Sequence, residues 1–187
     1  MVKKKACIFI SGSGTNLRSI IKNSRDYNFP INVKLVISNK KNAKGIYFAK
    51  KFSIPHIILD FDKDKFEKIA AKELLDRKIN LICLAGFMKV LSKKFIRNFK
   101  GSIINIHPSL LPKYKGLDTF KRVLNAGEKI TGCTVHFVNE KLDNGKIIIK
   151  KRVSIGKEES VEKLKKKVQL EEYKAYSVAI RKIYSLN

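Results

Sequence analysis

Apolar residues fall into short runs, separated by longer stretches in which they recur every three or four positions. Ala6–Ile10, Val33–Ile37, Ile54–Leu59, Leu81–Ala85 and Ser102–His107 are runs of five or six residues. That length and composition suit strands covered on both faces. Between them a helix is expected from about Leu17, another over Ala43–Phe52 and a short one over the Leu91–Phe99 region. Phe66, Ile69, Ala70, Leu74 and Leu75 recur at helical spacing and predict a further helix. Strands alternating with helices define an α/β chain with a mainly parallel sheet. The rhythm changes after residue 130, where Cys133–Val138 and Lys146–Val153 are strands joined by the short Asn139–Gly145 turn. This is a late antiparallel addition. A long helix from about Ser160, capped by that hydroxyl, would turn Val161, Leu164, Val168, Ile180 and Ile183 inward. No repeat, linker or low-complexity tract interrupts the pattern, so residues 1–187 read as a single domain.

Composition narrows the class. Hydrophobic content of 44% favours a folded globule. The net charge is +25, and 34 of the 41 basic residues are lysine, scattered along the whole length. A nucleic-acid surface would gather them with stacking aromatics, so no specific nucleic-acid partner is expected. The charge is read as a solvated lysine surface that attracts small anions. Cys7, Cys83 and Cys133 lack paired spacing and lie in or beside apolar runs, which predicts buried thiols, no disulfide framework and no metal site. The N-terminal apolar run is too short for a signal peptide, and nothing approaches the roughly 20 apolar residues of a membrane span. A cytoplasmic location without membrane partners follows as the expectation.

Three stretches carry candidate chemistry. Ser11-Gly12-Ser13-Gly14-Thr15-Asn16 follows a strand and opens a helix, where free backbone N–H groups favour an anion. Leu17 stands at the third glycine position of G-x-G-x-x-G, and no acid ends the second strand, so a phosphomonoester fits better than a dinucleotide. In the second stretch, period-2 alternation turns Asn105 and His107 the same way at a strand end that Pro108 terminates. A histidine there sits where open α/β sheets place ligands. Asp143, in a Leu-Asp-Asn-Gly turn, would hold an imidazolium or a water if placed near His107, while Asn105 would offer an N–H to an oxyanion. Ser109 lacks a nucleophile elbow and Cys133 reads as a core strand residue. Such a trio suits acyl transfer with a nucleophile supplied by the substrate.

Ile10–Leu17, Leu84–Met88, Asn105–Tyr114 and Gly132–Asp143 occur in the order found in one family. From about residue 6 to about residue 176 the chain resembles the phosphoribosylglycinamide formyltransferases, folate-dependent enzymes of purine biosynthesis. The resemblance implies a Rossmann-like three-layer formyltransferase fold. It further implies transfer of formyl from the cosubstrate 10-formyltetrahydrofolate to the amine of glycinamide ribonucleotide, by a monomer or homodimer. Asn105, His107 and Asp143 would be catalytic. Gly14, Thr15 and Asn16 would hold the substrate phosphate, and Glu172 would meet the glycinamide amine. Lys63, Met88, Lys89, Val90 and Leu91 would contact folate, together with Asn105 and the turn Asn139, Glu140, Lys141, Leu142 and Asp143.

Some positions depart from the family pattern. Lys115 replaces a usual proline, Asp118 and Phe120 stand where histidines or small residues are common, and Tyr173 and Ser177 replace a frequent His and Pro. Methionyl-tRNA formyltransferase shares His-Pro-Ser-Leu-Leu-Pro, but it gives no reason for the loop at residues 11–16 and normally has a further domain. A formyltetrahydrofolate deformylase would differ after the histidine. A nucleic-acid-binding module would leave the ordered motifs unexplained.

Overall fold

A computed structural model of the protein describes residues 2–60 and 62–184. The alternation continues from β1 (Lys4–Ile10) through α1 (Thr15–Ser24), β2 (Ile31–Ser38), α2 (Gly45–Lys51), β3 (His56–Ile58) and α3 (Lys63–Asp76). It runs on through β4 (Leu81–Leu84), α4 (Lys93–Asn98) and β5 (Ser102–His107), then α5 (Thr119–Asn125). The chain continues with β6 (Ile130–Phe137), β7 (Ile147–Ser154) and α6 (Val161–Tyr184). One sheet has the strand order β3-β2-β1-β4-β5-β6-β7. β1 to β5 pair in parallel, while β6 is antiparallel to both β5 and β7. The expected architecture is present: a mainly parallel sheet between helical layers, with a late antiparallel addition.

Burial explains the unbroken apolar runs. In β1, Ala6, Ile8 and Ile10 enter one core with residues of α1 and α6, while Cys7 and Phe9 enter the other with Phe66, Ala70 and Leu74 of α3. A strand covered on both faces has no polar side to show. β7 lies at the sheet edge, and its exposure alternates along the strand. All three cysteines are buried and free. Ser160 caps α6, its hydroxyl accepting the Lys163 N–H at 3.2 Å.

Three details differ from the sequence reading. Helix α5 had no counterpart there: it has seven residues, and its N-cap, Asp118, is left-handed and makes no side-chain cap. Leu75 is 77% exposed. Phe66, Ala70 and Leu74 form an i, i+4, i+8 stripe, and one further residue turns the side chain about 100° toward water. The third strand is limited to His56–Ile58, at the opposite edge of the sheet from β7.

Order 2-1-4 in the sheet means that the crossovers leave β1 in opposite directions. The crevice above β1 and β4 is therefore the switch point where such sheets bind ligands. The loops after these strands meet there, Ser11 N–H donating to Gly86 O at 3.1 Å. From the other face Tyr176 of α6, fully buried, donates its hydroxyl to Leu84 O at 2.8 Å, with Ile104 O at 3.3 Å. Tyr176→Phe leaves those strand-end carbonyls without this donor. It is expected to lower unfolding free energy by about 1–3 kcal/mol in urea titration. An unchanged midpoint would show that the bond contributes nothing to stability.

Candidate active site

The site grows from two neighbouring strands. In β6, Cys133 and Val135 enter the core shared with α6, which turns Thr134 and His136 to the opposite face. Asn105 of β5 pairs with His136, and His107 pairs with Thr134. Asn105 and His107 thus project on one side, as alternation requires, and β6 adds a second imidazole. The sequence reading did not assign His136 a role. Its signal was the polar–apolar alternation Cys133-Thr134-Val135-His136, in phase with Asn105 and His107 across the strand pair.

Asp143 comes from the β6–β7 turn with a φ of 45°, a left-handed conformation that aspartate tolerates. Its carboxylate is buried. Oδ2 lies 3.3 Å from His107 Nδ1 and accepts the Gly116 N–H at 2.9 Å, while Oδ1 is 3.8 Å from His136 Nε2. The other nitrogen of His107, Nε2, donates to Tyr114 O at 2.8 Å. Both ring nitrogens of His107 therefore face oxygen acceptors. His136 is different. Burial lowers its pKa against opposing pulls from the Phe137 carbonyl and Asp143, so the neutral ring is favoured. Its Nδ1–H donates to Phe137 O at 2.8 Å, leaving Nε2 to accept from Asn105 Nδ2 at 3.4 Å. That contact orients the amide and leaves its second N–H available.

The segment between β5 and α5 closes over this group. Lys115, where the family resemblance expects proline, donates to Asn144 Oδ1 at 2.7 Å and ties the segment to the Asp143 turn. Arg122 of α5 donates to Lys115 O at 2.6 Å. Neither candidate nucleophile is available for attack. Ser109 is fully buried and donates to Lys113 O at 2.6 Å, and burial pushes the Cys133 thiol up to about 12.

Beyond β1 lies the glycine loop. Gly14 has a φ of 72°, and a Cβ there would meet Gly45 Cα at 2.3 Å. Only glycine fits, because the loop packs against the backbone of α2. α1 starts without a side-chain cap, so its first-turn N–H groups face the crevice unclaimed by the helix. Thr15 Oγ1 accepts from Gln169 at 2.8 Å, and Asn16 Nδ2 donates to Glu172 Oε2 at 2.8 Å. The Asn16 side chain thus faces α6, and its buried Oδ1 has no hydrogen-bond partner. Burial raises the Glu172 pKa, opposed by the Asn16 bond and by Lys165.

The remaining expected residues ring the same end of the sheet. Met88, Val90 and Leu142 are exposed apolar side chains, and Leu91 is buried. Lys89 and Lys141 are exposed, and Asn139 donates to Asn144 O at 3.2 Å. Two stand apart from the polar cluster: the Glu140 carboxylate is engaged by Arg97, and Lys63 is an exposed residue opening α3.

An imidazole beside a buried carboxylate and an oriented amide, with neither Ser109 nor Cys133 free to attack, suits an acyl transferase whose substrate supplies the attacking atom. The chain belongs to the formyl transferase family, matching it over residues 4–180. It is 41% identical over 182 residues to the phosphoribosylglycinamide formyltransferase of Haemophilus influenzae, covering 95% of this chain and 86% of that one. It is 38% identical over 187 residues to the trifunctional purine biosynthetic protein adenosine-3 of Gallus gallus, 98% of this chain but 19% of the larger protein. The solved phosphoribosylglycinamide formyltransferase of Bacillus halodurans superposes with a TM-score of 0.92 at 36% identity, covering 98% of this chain and 96% of that one.

A raised carboxyl pKa in the folded state means that the charged form is held worse there than in the unfolded chain. Glu172 therefore subtracts from stability above its ordinary titration range, and the penalty fades as pH falls below it. Glu172→Gln is expected to melt above the parent at about pH 8, the gap narrowing toward about pH 4. Thermal melts across that range check it, and a gap that widens in acid would reverse the sign.

Proposed function

We infer that the protein transfers a formyl group from 10-formyltetrahydrofolate to the amine of glycinamide ribonucleotide, a step of de novo purine synthesis. The observation that carries the reading is the buried Asp143 carboxylate between His107 and His136 with Asn105 alongside. Family membership supplies the formyl chemistry, and the named relatives supply the acceptor. Residues 1–187 are read as one formyltransferase domain. No helix among the described residues is long and apolar enough to cross a membrane; a cytoplasmic location is part of the proposal.

The amine attacks the formyl carbon, forming a C–N bond and a tetrahedral centre with an oxyanion and an ammonium. The free N–H of Asn105 donates to that oxyanion, and His107, held between its two acceptors, stabilises it. Asp143 holds the imidazolium and orients a water that carries the ammonium proton to the departing folate nitrogen. The first turn of α1, with Gly14, Thr15 and Asn16, receives the phosphate through backbone N–H groups. Glu172, bonded to Asn16, receives the amine end. On the cosubstrate side, Met88, Val90 and Leu142 offer an apolar rim for a flat ring, and Leu91 packs beneath it. Lys63, Lys89, Asn139, Glu140 and Lys141 complete that wall.

A steady-state assay with the ribonucleotide present and then omitted tests the reaction. Formyl transfer only in its presence is expected, whereas folate turnover without it would indicate a hydrolase. His107→Ala should lower kcat by about 100-fold or more, the scale of one acid–base group. Asn105→Ala should lower it by about 100- to 1000-fold, as for one oxyanion donor. Near-normal turnover in either variant would remove that residue from the mechanism.

A further inference from the structure

The segment between β4 and α4 is irregular, yet it carries two apolar side chains held in water, Met88 and Val90. A short loop with exposed apolar groups collapses or wanders unless its backbone is fixed. Here both ends are tied to side chains of other elements. At the first end, Ser11 Oγ accepts the Met88 N–H at 2.8 Å and donates to Asn39 Oδ1 at 2.5 Å.

At the second end stands Glu67 of α3, buried although the protein has only 16 acids. Its Oε1 accepts the Ser92 N–H at 2.6 Å, and its Oε2 accepts the Ser92 hydroxyl at 2.5 Å. Ser92 in turn caps α4, its Oγ accepting the Phe95 N–H at 3.0 Å. Burying a carboxylate is costly unless both oxygens are satisfied. Two donors from one residue converge on it, an arrangement that only an acid can meet with two acceptors. Glutamine keeps one acceptor for the Ser92 N–H but presents an NH2 to the Ser92 hydroxyl, which must then reverse its bond and give up its own acceptor.

We propose that Glu67 is a positioning residue for the cosubstrate: by clamping Ser92 it fixes the backbone on which Met88 and Val90 form the folate wall. The proposal rests on the formyltransferase reading given above, and it assigns Glu67 no contact with the reacting atoms. Glu67 lies one turn after Lys63, which opens α3, so the same helix carries the clamp and an expected folate contact.

The test compares Glu67→Gln, Ser92→Ala and the double variant with the parent. Glu67→Gln is expected to raise the Kd of a 10-formylfolate analogue, measured by equilibrium fluorescence titration, by about tenfold. It should also raise the cosubstrate KM alike, leaving ribonucleotide KM and kcat within about threefold. In the ligand-free protein, amide exchange at Met88–Ser92 should accelerate while exchange in β1 and β5 stays slow. In the double variant the two effects should fail to add, because both substitutions remove one interaction. An equal rise of both KM values with a fall in kcat would overturn the proposal, as would an unchanged analogue affinity in Glu67→Gln when the parent is active. A parent without formyl transfer would refute the functional reading instead, while the exchange data would still report on the clamp. Should Glu67→Gln not fold, Ser92→Ala keeps the test: it removes the hydroxyl half of the clamp while the backbone N–H still reaches the acid, so a smaller rise in analogue Kd with faster exchange at Met88–Ser92 is expected, and both unchanged would overturn the clamp.

Discussion

The buried carboxylate of Asp143 is the constraint on which the rest of the site depends. An ionised group removed from water must be met by donors, and Asp143 collects them from separate parts of the chain. His107 comes from the end of a parallel strand and Gly116 from the segment before α5, with His136 of the antiparallel strand beside them. Three elements distant in sequence are thereby drawn to one point. The left-handed backbone at Asp143 is the local strain that makes this possible, and the partners over-determine it.

The two histidines divide the work because their surroundings differ. His107 faces two oxygen acceptors, one a carboxylate and one a backbone carbonyl. His136 gives its N–H to a backbone carbonyl and lies deeper from water, so its other nitrogen serves as an acceptor for Asn105. One ring faces the carboxylate, and the other orients the amide.

Much of this was legible in the sequence, and the reasons for success and failure are physical. The apolar runs located the strands because burial on both faces leaves no polar residue to blur the signal, as in Cys7, Ile8 and Phe9. Alternation correctly paired Asn105 with His107, since strand geometry has a period of two. What escaped was information carried by position rather than by type. Glu67 is indistinguishable by charge from a solvated helix residue, and only its burial and its converging donors set it apart. Helix α5 escaped because its Phe120, Val123 and Leu124 stripe spans barely two turns, and Asp118, a preferred N-cap type, takes a left-handed backbone without capping.

The charge of +25 and the acidity of the site then cease to conflict. Lysines spread over the exterior produce a field that acts at the range of the Debye length, about 8 Å in physiological salt, and draws anions such as phosphate and folate toward the surface. The three acids in the buried class, Glu67, Asp143 and Glu172, act at hydrogen-bond distance instead. Asp143 and Glu172 sit where the proposed reaction develops or presents positive charge, on an imidazolium and an amine, and Glu67 steadies the backbone beside them. Most other acids that form ion pairs do so with surface lysines or arginines, as Glu128 does with Lys113 and Asp26 with Arg181. Such exposed pairs are worth little to stability. The few negative charges that matter are therefore those taken out of water. Their scarcity is no handicap, because a buried carboxylate is screened by little except the donors that hold it.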